Sequence, residues 1–412
     1  EISLGLVGSE MCIRDRFKIK QSSLVLNGIR PQYTGQPAVI PLGLTWEKST
    51  TLNLGLDFAF LSNRLQFSGD IYQRKTTDMF TVGMSLPAVF GTDVPKGNYA
   101  DLTTKGFELS VSWRDQFQLA SKPFNYEVRF TLADYQSTID KYNNPEKKLG
   151  DDYYYEGMKV GEIWGYETEG FFTSQADIDS HAKQPYFYAG ATAGQWLPGD
   201  IKFKDLNGDG VIDYGNNTVD NPGDQKIIGN SEPRFIYGIN LSGDWNNFFV
   251  SAFFQGVGKQ DWWPGSEASY FWGMYNRPYN DMPKSHLGNI WTEENPNTYF
   301  PRLRGYSSEE PYAELNLKQT RYLQNIAYIR MKNIQLGYTL PKSFISKLRM
   351  QNAKVYVSGE NLWSWSPFYK YSKDLDVEAV RGSDRDLTEG TSGNGYSYPI
   401  LKSVSFGLSV TF

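Results

Sequence analysis

Apolar and polar residues alternate along the last stretch of the chain. From Val404 onward every second residue is apolar, the series ends on Phe412, and Ser, Gly or Thr stand between. A period of two is typical of a β-strand with one apolar face and one small, polar face. A strand of about 10 residues divided in this way suits a transmembrane β-barrel, whose outside meets lipid and whose inside meets water. An edge strand of a soluble sandwich would look similar in isolation.

The same alternation returns in pairs of segments along the chain. Each pair predicts a hairpin, and the turns at Ser62-Asn63 and Asn246-Asn247 are short. The predicted strands are Thr51–Phe60, Arg64–Phe80, Gly106–Trp113, Phe124–Leu132, Phe235–Trp245, Phe248–Gly256, Tyr328–Leu340, Ala353–Trp363 and the terminal segment, with another at Phe17–Leu26.

Short and long connections alternate with a fixed parity between these strands. The long ones are Thr81–Asn98, Gln136–Pro233, Val257–Leu323 and Ser364–Pro399. Outer-membrane barrels have this asymmetry, because their short turns face the periplasm and their long loops face outside. We therefore predict an all-β fold, a transmembrane antiparallel β-barrel with long extracellular loops. About nine or ten strands are visible, and since a bacterial barrel closes with an even number, we expect the carboxy-terminal part of a larger barrel.

Composition and the absence of motifs argue against several classes of protein. No run of about 18 apolar residues predicts a transmembrane helix, and the net charge of -5 without basic clusters argues against nucleic acid as a partner. The two histidines, His181 and His286, lie in loops, where we expect them to face solvent. With Cys12 as the one cysteine, neither a zinc cluster nor a Cys/His dyad is predicted. Catalytic fingerprints are absent from the sequence, so we do not expect an enzyme.

The first residues differ in character from the rest. Glu1 to Arg16 reads EISLGLVGSEMCIRDR and has no signal-peptide n-region, h-region or cleavage site. It resembles the translated read-through of a sequencing adaptor. We expect residues 1–16 to be non-native and residues 17–412 to be the barrel portion, with the true amino-terminal part missing.

Seven segments in order resemble one family, the SusC/RagA-type TonB-dependent outer-membrane transporters. They are TWEKSTTLNLGLDFAFLSNRLQFSGDIYQRKTTDMF from Thr45, NYADLTTKGFELSVSW from Asn98, GEIWGYETEGFF from Gly161, PGDIKFKDLNGDGVID from Pro198, IIGNSEPRFIYGINLSGDWNNFFVSAFFQGV from Ile227, YIRMKNIQLGYTLP from Tyr328 and VYVSGENLWSWS from Val355.

The resemblance implies a 22-stranded barrel with an amino-terminal plug in the outer membrane of a Gram-negative bacterium. It also implies energy from the TonB-ExbB-ExbD complex and a SusD-like surface lipoprotein that captures glycans or, in some members, peptides. On this basis we expect TonB-dependent import of oligosaccharides without covalent chemistry. The alternatives are a surface adhesin or glycan-binding β-protein without transport, and a TonB-dependent receptor for a siderophore or a vitamin.

One loop has the spacing of a calcium site. Oxygen-bearing side chains at Asp205, Asn207 and Asp209, then Gly210 and the Val211 carbonyl, reproduce the first part of a calcium loop, with Asp213 direct or through water. Asn216 stands where the bidentate Glu belongs, and Asp220 could substitute for it. The alternative is an Asp/Asn/Gly-rich turn without an ion, because these residues favour turns. The cation, if bound, would stiffen an extracellular loop.

Aromatic residues crowd the long connections. Flat rings can stack on sugars, but they also form the girdle at a membrane edge or anchor a protein partner. The candidates for ligand or partner contact are Trp262, Trp263, Tyr270, Trp272 and Tyr275, all in one long connection.

Overall fold

The computed structural model describes residues 18–35, 43–83, 94–150, 153–185, 196–266, 268–277, 279–304, 308–309, 313–380 and 398–412. Strands dominate these residues, and the helices are single turns or little more. No helix among the described residues is both long and apolar enough to cross a membrane.

Nine strands form the principal sheet. They are β3 (Lys48–Phe60), β4 (Leu65–Val82), β5 (Lys96–Leu119), β6 (Lys122–Lys141), β11 (Arg234–Trp245), β12 (Phe248–Lys259), β15 (Tyr328–Thr339), β16 (Asn352–Trp365) and β17 (Ser403–Thr411). Each strand lies beside its neighbour in the sequence, in the order β17-β16-β15-β12-β11-β6-β5-β4-β3. The sheet is therefore a long meander, and the prediction of consecutive hairpins in an all-β fold is confirmed. Strands β3 and β17 stand at its two ends, so closure and the number of 22 strands stay predictions.

The remaining elements are short. They are β1 (Lys18–Gln21), β2 (Gln32–Gly35), β7 (Glu162–Tyr166), β8 (Thr168–Phe171), β9 (Ile201–Phe203), β10 (Gln225–Asn230), β13 (Asp261–Trp262), β14 (Gln324–Asn325), and the helices α1 (Gln175–Ser180), α2 (Ser269–Trp272) and α3 (Lys342–Ile345). Four two-stranded ladders, β1-β2, β7-β10, β8-β9 and β13-β14, lie outside the principal sheet.

Three predicted strands differ markedly from the structure. The strand expected at Phe17–Leu26 is short and pairs with β2 in its own ladder, because Asn27 and Gly28 adopt positive φ and turn the chain back; Phe17 lies outside the described residues. The segments Gly106–Trp113 and Phe124–Leu132 are only parts of the 24-residue β5 and the 20-residue β6. Backbone pairing continues beyond the alternating segment, where the side chains no longer have to sort into an apolar and a polar face.

The chain forms two compact units. One contains Glu1–Leu52, Gln73–Thr104 and Ser137–Lys159, and the other contains Asn53–Tyr72, Lys105–Gln136 and Val160–Phe412. In the first unit, the Asn98 amide donates to the carbonyl oxygens of Thr45 and Asp78 at 3.0 and 2.5 Å, which joins two of its three segments. Inside the second unit, the strands and the long connections described below have their own core.

Cross-strand register in the second unit separates apolar from polar residues. One row across β6, β11, β12, β15, β16 and β17 is Tyr126, Gly243, Val250, Leu336, Val357 and Phe406. The adjacent row, on the opposite face, is Glu127, Ser242, Ser251, Gln335, Ser358 and Ser405. Leu336 and Phe406 keep 52% and 87% of their surfaces exposed, so the apolar face is a continuous uncovered patch.

The turn between β11 and β12 shows how the register is set. Asn246 and Asn247 both have positive φ, at 47° and 69°, as a two-residue type I′ hairpin turn requires. Trp245 and Phe248 are thereby paired directly, and the Phe248 ring lies 4.7 Å from that of Tyr338 on β15 between centroids, tilted by 54°. An aromatic row thus borders the apolar face at the short-turn end of the sheet.

Gly256 allows the close approach of two neighbouring strands. The ring of Tyr237 on β11 crosses over Gly256, and its hydroxyl donates to the Tyr328 carbonyl on β15 at 3.2 Å. A Cβ at position 256 would lie 2.3 Å from Tyr237 Cζ and 2.4 Å from the Tyr328 carbonyl oxygen. The second clash is with backbone, so rotation of a side chain cannot relieve it.

Gly256→Ala should therefore destabilise the folded chain by about 1–3 kcal/mol, the usual cost of overpacking. Gly265→Ala is the control, because nothing lies within 4 Å of a Cβ there. Urea unfolding in detergent, followed by tryptophan fluorescence, measures both. Equal stability of the two variants would contradict the close approach.

Candidate functional site

Parts of three long connections pack against each other within the second unit. Segments that follow β6, β12 and β16 contribute buried side chains to one cluster, which we call the loop core. Its largest fully buried members are Trp272, Tyr275, Tyr322, Phe203, Phe300, Phe368, Ile201, Ile212, Leu315 and Ile326. Burial of about 25 cal/mol per Å² of apolar surface gives these connections their own hydrophobic stabilisation.

The five aromatic candidates do not share one environment. Trp262, Trp263, Trp272 and Tyr275 are buried in the loop core, whereas Tyr270 keeps 56% of its surface exposed. The Trp272 indole N–H donates to the Pro264 carbonyl at 3.0 Å. Four of the five side chains are thus occupied by contacts within the chain, and Tyr270 alone of this set has an accessible face.

Local sequence explains why these rings turn inward. Helix α2 is one turn long, and its last two residues, Phe271 and Trp272, meet edge to face with centroids 4.8 Å apart. Gly273 follows with φ of 53°, and the Tyr275 hydroxyl then donates to the Pro301 carbonyl at 2.6 Å. Buried Trp and Tyr need a partner for their polar atom, and here backbone carbonyls supply it.

The calcium-like loop folds as a series of Asx turns. Both carboxylate oxygens of Asp205 accept backbone N–H groups, from Gly208 at 2.6 Å and from Gly210 at 2.9 Å. Asp209 accepts from the Val211 N–H at 2.8 Å. Among the described residues, no three His, Cys, Asp or Glu side chains are grouped as a metal site would require. Calcium binding by the mixed set of Asp, Asn and carbonyl oxygens stays a prediction.

The acid that organises this loop is Asp224, which sequence reasoning missed. Its side chain is fully buried and accepts the backbone N–H groups of Leu206 at 2.7 Å and Asp213 at 2.9 Å. Burial raises the pKa of Asp224. Asp220, the residue expected to complete a calcium loop, is exposed. Sequence spacing does not point to Asp224, because this residue comes after a further turn of the chain between Gly215 and Gly223.

A buried acid cluster ties two distant segments of the loop core together. Asp200 is fully buried and accepts from Arg302 Nε and Arg304 Nε, each at 2.8 Å. Glu314 lies beside it, 1% exposed, and accepts the Ile201 N–H at 3.0 Å through Oε2, while Oε1 has no partner. Burial, followed by the charge of Asp200, raises the pKa of Glu314. The cluster therefore favours the protonated form of this acid.

A second ionic cluster fixes the connection after β16. Arg330, at the start of β15 and almost fully buried, contacts Asp376 at 2.5 Å and Glu378 at 2.7 Å. Lys332 pairs with Glu378 at 2.5 Å. These carboxylates are engaged in ion pairs, so the arrangement does not free them for acid-base work.

His286 is not solvent-facing, contrary to the expectation for a loop histidine. It is 1% exposed, lies 4.0 Å from the Phe300 ring between centroids, and contacts the Phe271 carbonyl through Nε2 at 2.9 Å. Burial lowers its pKa to about 4. The position is structural, and no local sequence signal distinguishes it from an exposed loop histidine.

Two clefts open in this region. The first, which we call the aromatic cleft, has a volume of about 520 Å³ and is lined by Ser285, Asn289, Thr298, Tyr299, Phe300, Arg321, Lys370 and Tyr371. The second, the strand-end cleft, has a volume of about 840 Å³ and is lined by cations and by two acids, among them Arg330, Lys370, Lys373, Lys402, Asp374 and Asp376. Rings, cations and hydroxyl groups of this kind can hold a solute by non-covalent contacts.

Comparison with known proteins agrees with this fold. No family model matches the sequence. The TonB-dependent receptor P3 of Formosa agariphila is 28% identical over 90% of this chain and 34% of its own length. The TonB-dependent receptor SusC of Bacteroides thetaiotaomicron is 23% identical over 92% of this chain and 33% of its own length. The solved RagAB peptide transporter superposes with a TM-score of 0.66, at 19% identity, over 97% of this chain and 38% of the matched one.

These matches confirm the resemblance to the SusC/RagA-type TonB-dependent receptors. The chain spans about a third of the length of the SusC-type relatives that it matches. What the whole of such a receptor does is therefore a matter of proposal for this chain.

Glu314→Gln should reduce the loss of stability at alkaline pH. Because burial raises the pKa of Glu314, the protonated acid contributes its full stabilisation below the unfolded pKa of about 4.5. This stabilisation is lost as pH rises through the higher pKa of the folded state. Thermal melts at pH 5 and pH 9 should therefore differ less in this variant, by about 1 kcal/mol or more. The control is Glu293→Gln, an exposed acid. An unchanged pH dependence in Glu314→Gln would argue against a protonated acid at this position.

His286→Gln should protect the loop core at acid pH. Because the pKa of His286 is lower in the folded state, neutral His286 contributes its full stabilisation above the unfolded pKa of about 6.5. This stabilisation is lost as pH falls through the folded pKa of about 4. Glutamine keeps an N–H for the Phe271 carbonyl and cannot take up a proton. Between pH 7 and pH 4 the variant should lose about 2–3 kcal/mol less than wild type, measured by tryptophan fluorescence. His181→Gln serves as the comparison, and equal behaviour of both variants would contradict the prediction.

Proposed function

We propose that this chain is the carboxy-terminal barrel portion of a TonB-dependent outer-membrane importer of oligosaccharides. The observation that carries the proposal is the nine-stranded meander with one exposed apolar face and one polar face. Its superposition on the RagAB transporter over 97% of the chain supports the same architecture.

The two faces suit a barrel wall. In lipid every backbone N–H and C=O needs an internal partner, so a sheet of this kind must close on itself or on further strands. The family resemblance implies a closed barrel of 22 strands. The row of Val250, Leu336 and Phe406 would then face lipid, and the row of Ser251, Gln335 and Ser405 would line the interior.

Import in this proposal is gated passage. Polar side chains of the interior would bind solute by non-covalent contacts, and the buried acids Asp200 and Asp224 are held by arginines and by backbone N–H groups. A SusD-like lipoprotein would cover the loop end and deliver cargo. The TonB-ExbB-ExbD complex would act through the part of such receptors that lies outside the matched span.

Peptides are the second candidate cargo. RagAB is a peptide importer, and its chain superposes on this one with TM-scores of 0.64 and 0.66. Oligosaccharides are preferred here because the aromatic cleft combines rings with hydroxyl and amide side chains and contains no aliphatic residue among those that line it.

The direct test is to express the gene in its host and locate the protein. We expect it in the outer-membrane fraction, with a migration on gels that changes on heating, as folded barrels show. Uptake of labelled oligosaccharides and of labelled peptides, with and without TonB, then separates the two cargoes. Recovery from the cytosol would end the proposal.

Leu336→Arg and Gln335→Arg test which face meets lipid. An arginine on the lipid face costs about 2–4 kcal/mol near the middle of the membrane, whereas one inside a barrel is solvated. Leu336→Arg should therefore lower the yield of folded, heat-modifiable protein, and Gln335→Arg should leave it near wild type. The opposite result would mean that the two faces have been assigned the wrong way round.

A further inference from the structure

A column lines the aromatic cleft, in which the cations Lys370 and Arg321 flank two stacked tyrosine rings. Lys370 Nζ lies 5.4 Å from the centroid of the Tyr371 ring, and that ring stacks on Tyr299 at 4.3 Å with an interplanar angle of 19°. Arg321 Cζ lies 5.8 Å from the Tyr299 centroid and 4.2 Å over the ring of Phe171. Two cations are thus placed by aromatic faces.

The guanidinium of Arg321 is held by neutral partners. Its Nε donates to the Tyr299 carbonyl at 2.9 Å, and an Nη donates to the Thr298 carbonyl at 2.6 Å. Cation-π contacts and carbonyl oxygens position a cation without cancelling its charge. Two arginines of the loop core, Arg302 and Arg304, are by contrast both paired with the carboxylate of Asp200.

The lining of the cleft adds no negative charge. Among its described residues there is neither Asp nor Glu, and the remaining polar side chains are Ser285, Asn289 and Thr298. Two positive charges therefore face one concave space of about 520 Å³, within the range of small-molecule sites. A complementary solute must bring its own negative groups together with many hydroxyls or other hydrogen-bonding groups.

We propose that the aromatic cleft is a binding subsite for acidic oligosaccharides, whose carboxylate or sulfate groups are bound by Arg321 and Lys370. Charge-assisted hydrogen bonds from these cations select anionic over neutral sugars, while Ser285 and Asn289 bond to hydroxyl groups. The edge of Tyr371 packs against a sugar ring. This inference rests on the proposed function as an importer and names the class of cargo.

Isothermal titration of the purified full chain in detergent tests the subsite. The probes are trigalacturonate, a sulfated trisaccharide, neutral maltotriose and triglutamate. We expect one or both acidic sugars to bind at least about tenfold more tightly than maltotriose, with affinity falling as salt is raised because the charges are screened. Equal binding of maltotriose would overturn the proposal, and tighter binding of triglutamate would replace it with an acidic-peptide site.

Two variants remove the charges. Lys370→Gln, at an exposed position, should weaken acidic-sugar binding about fivefold to tenfold and should leave the melting temperature unchanged. Arg321→Gln should weaken it at least as much, although the loss of its bonds to Thr298 and Tyr299 also affects the local fold. Unchanged affinity of Lys370→Gln for acidic sugars would contradict the proposal.

The controls are Lys373→Gln and Lys342→Gln. Lys373 lines only the strand-end cleft, and Lys342 is an exposed residue of α3. Both variants should bind acidic sugars as wild type does. A loss in Lys373→Gln equal to that in Lys370→Gln would move the site to the strand-end cleft and overturn the assignment. Since binding is measured without a membrane, its failure is distinguishable from failure of the protein to reach the outer membrane.

Discussion

Antiparallel pairing between consecutive strands is the constraint on which the whole architecture depends. Side chains alternate across a strand, so the register at each hairpin decides which residues share a face. A slip of one residue between β12 and β15 would move Leu336 into the row of Ser251 and break both faces at once. Short turns such as that at Asn246 and Asn247 fix this register locally, because two residues with positive φ leave little freedom.

This pairing also determines where the long connections lie. In the second unit, the connections that form the loop core leave from the strand ends that the short turns do not join. Segments far apart in the sequence are thereby brought together, and their aromatic residues bury one another in the loop core. Trp272 and Tyr322, for example, are 50 positions apart by their numbering and meet edge to face at 5.2 Å. The loop end is therefore a packed body that can present shaped clefts.

Charged groups position the loop core more than they stabilise it. A buried ion pair is weak evidence for net stability, because desolvation opposes the attraction. Asp200, directly before β9, nevertheless joins this part of the chain to Arg302 and Arg304. Arg330 joins β15 to Asp376 in the same way. Removing one partner would leave a buried charge, so each pair restricts how the segments can pack. The column from Lys370 to Arg321 differs, since no described acid forms an ion pair with either cation.

The sequence by itself determined the strand pairs, their order and their two faces, because a period of two is a local property read from successive residues. It also located the Asn246-Asn247 turn and the resemblance to SusC-type receptors. Only the tertiary structure decided which loop residues are buried. Trp272 and Tyr275 became core while Tyr270 stayed exposed, His286 lost its contact with solvent, and Asp224 reached back to Leu206. Burial in a long connection depends on segments that are remote in the sequence, and no local pattern records those contacts.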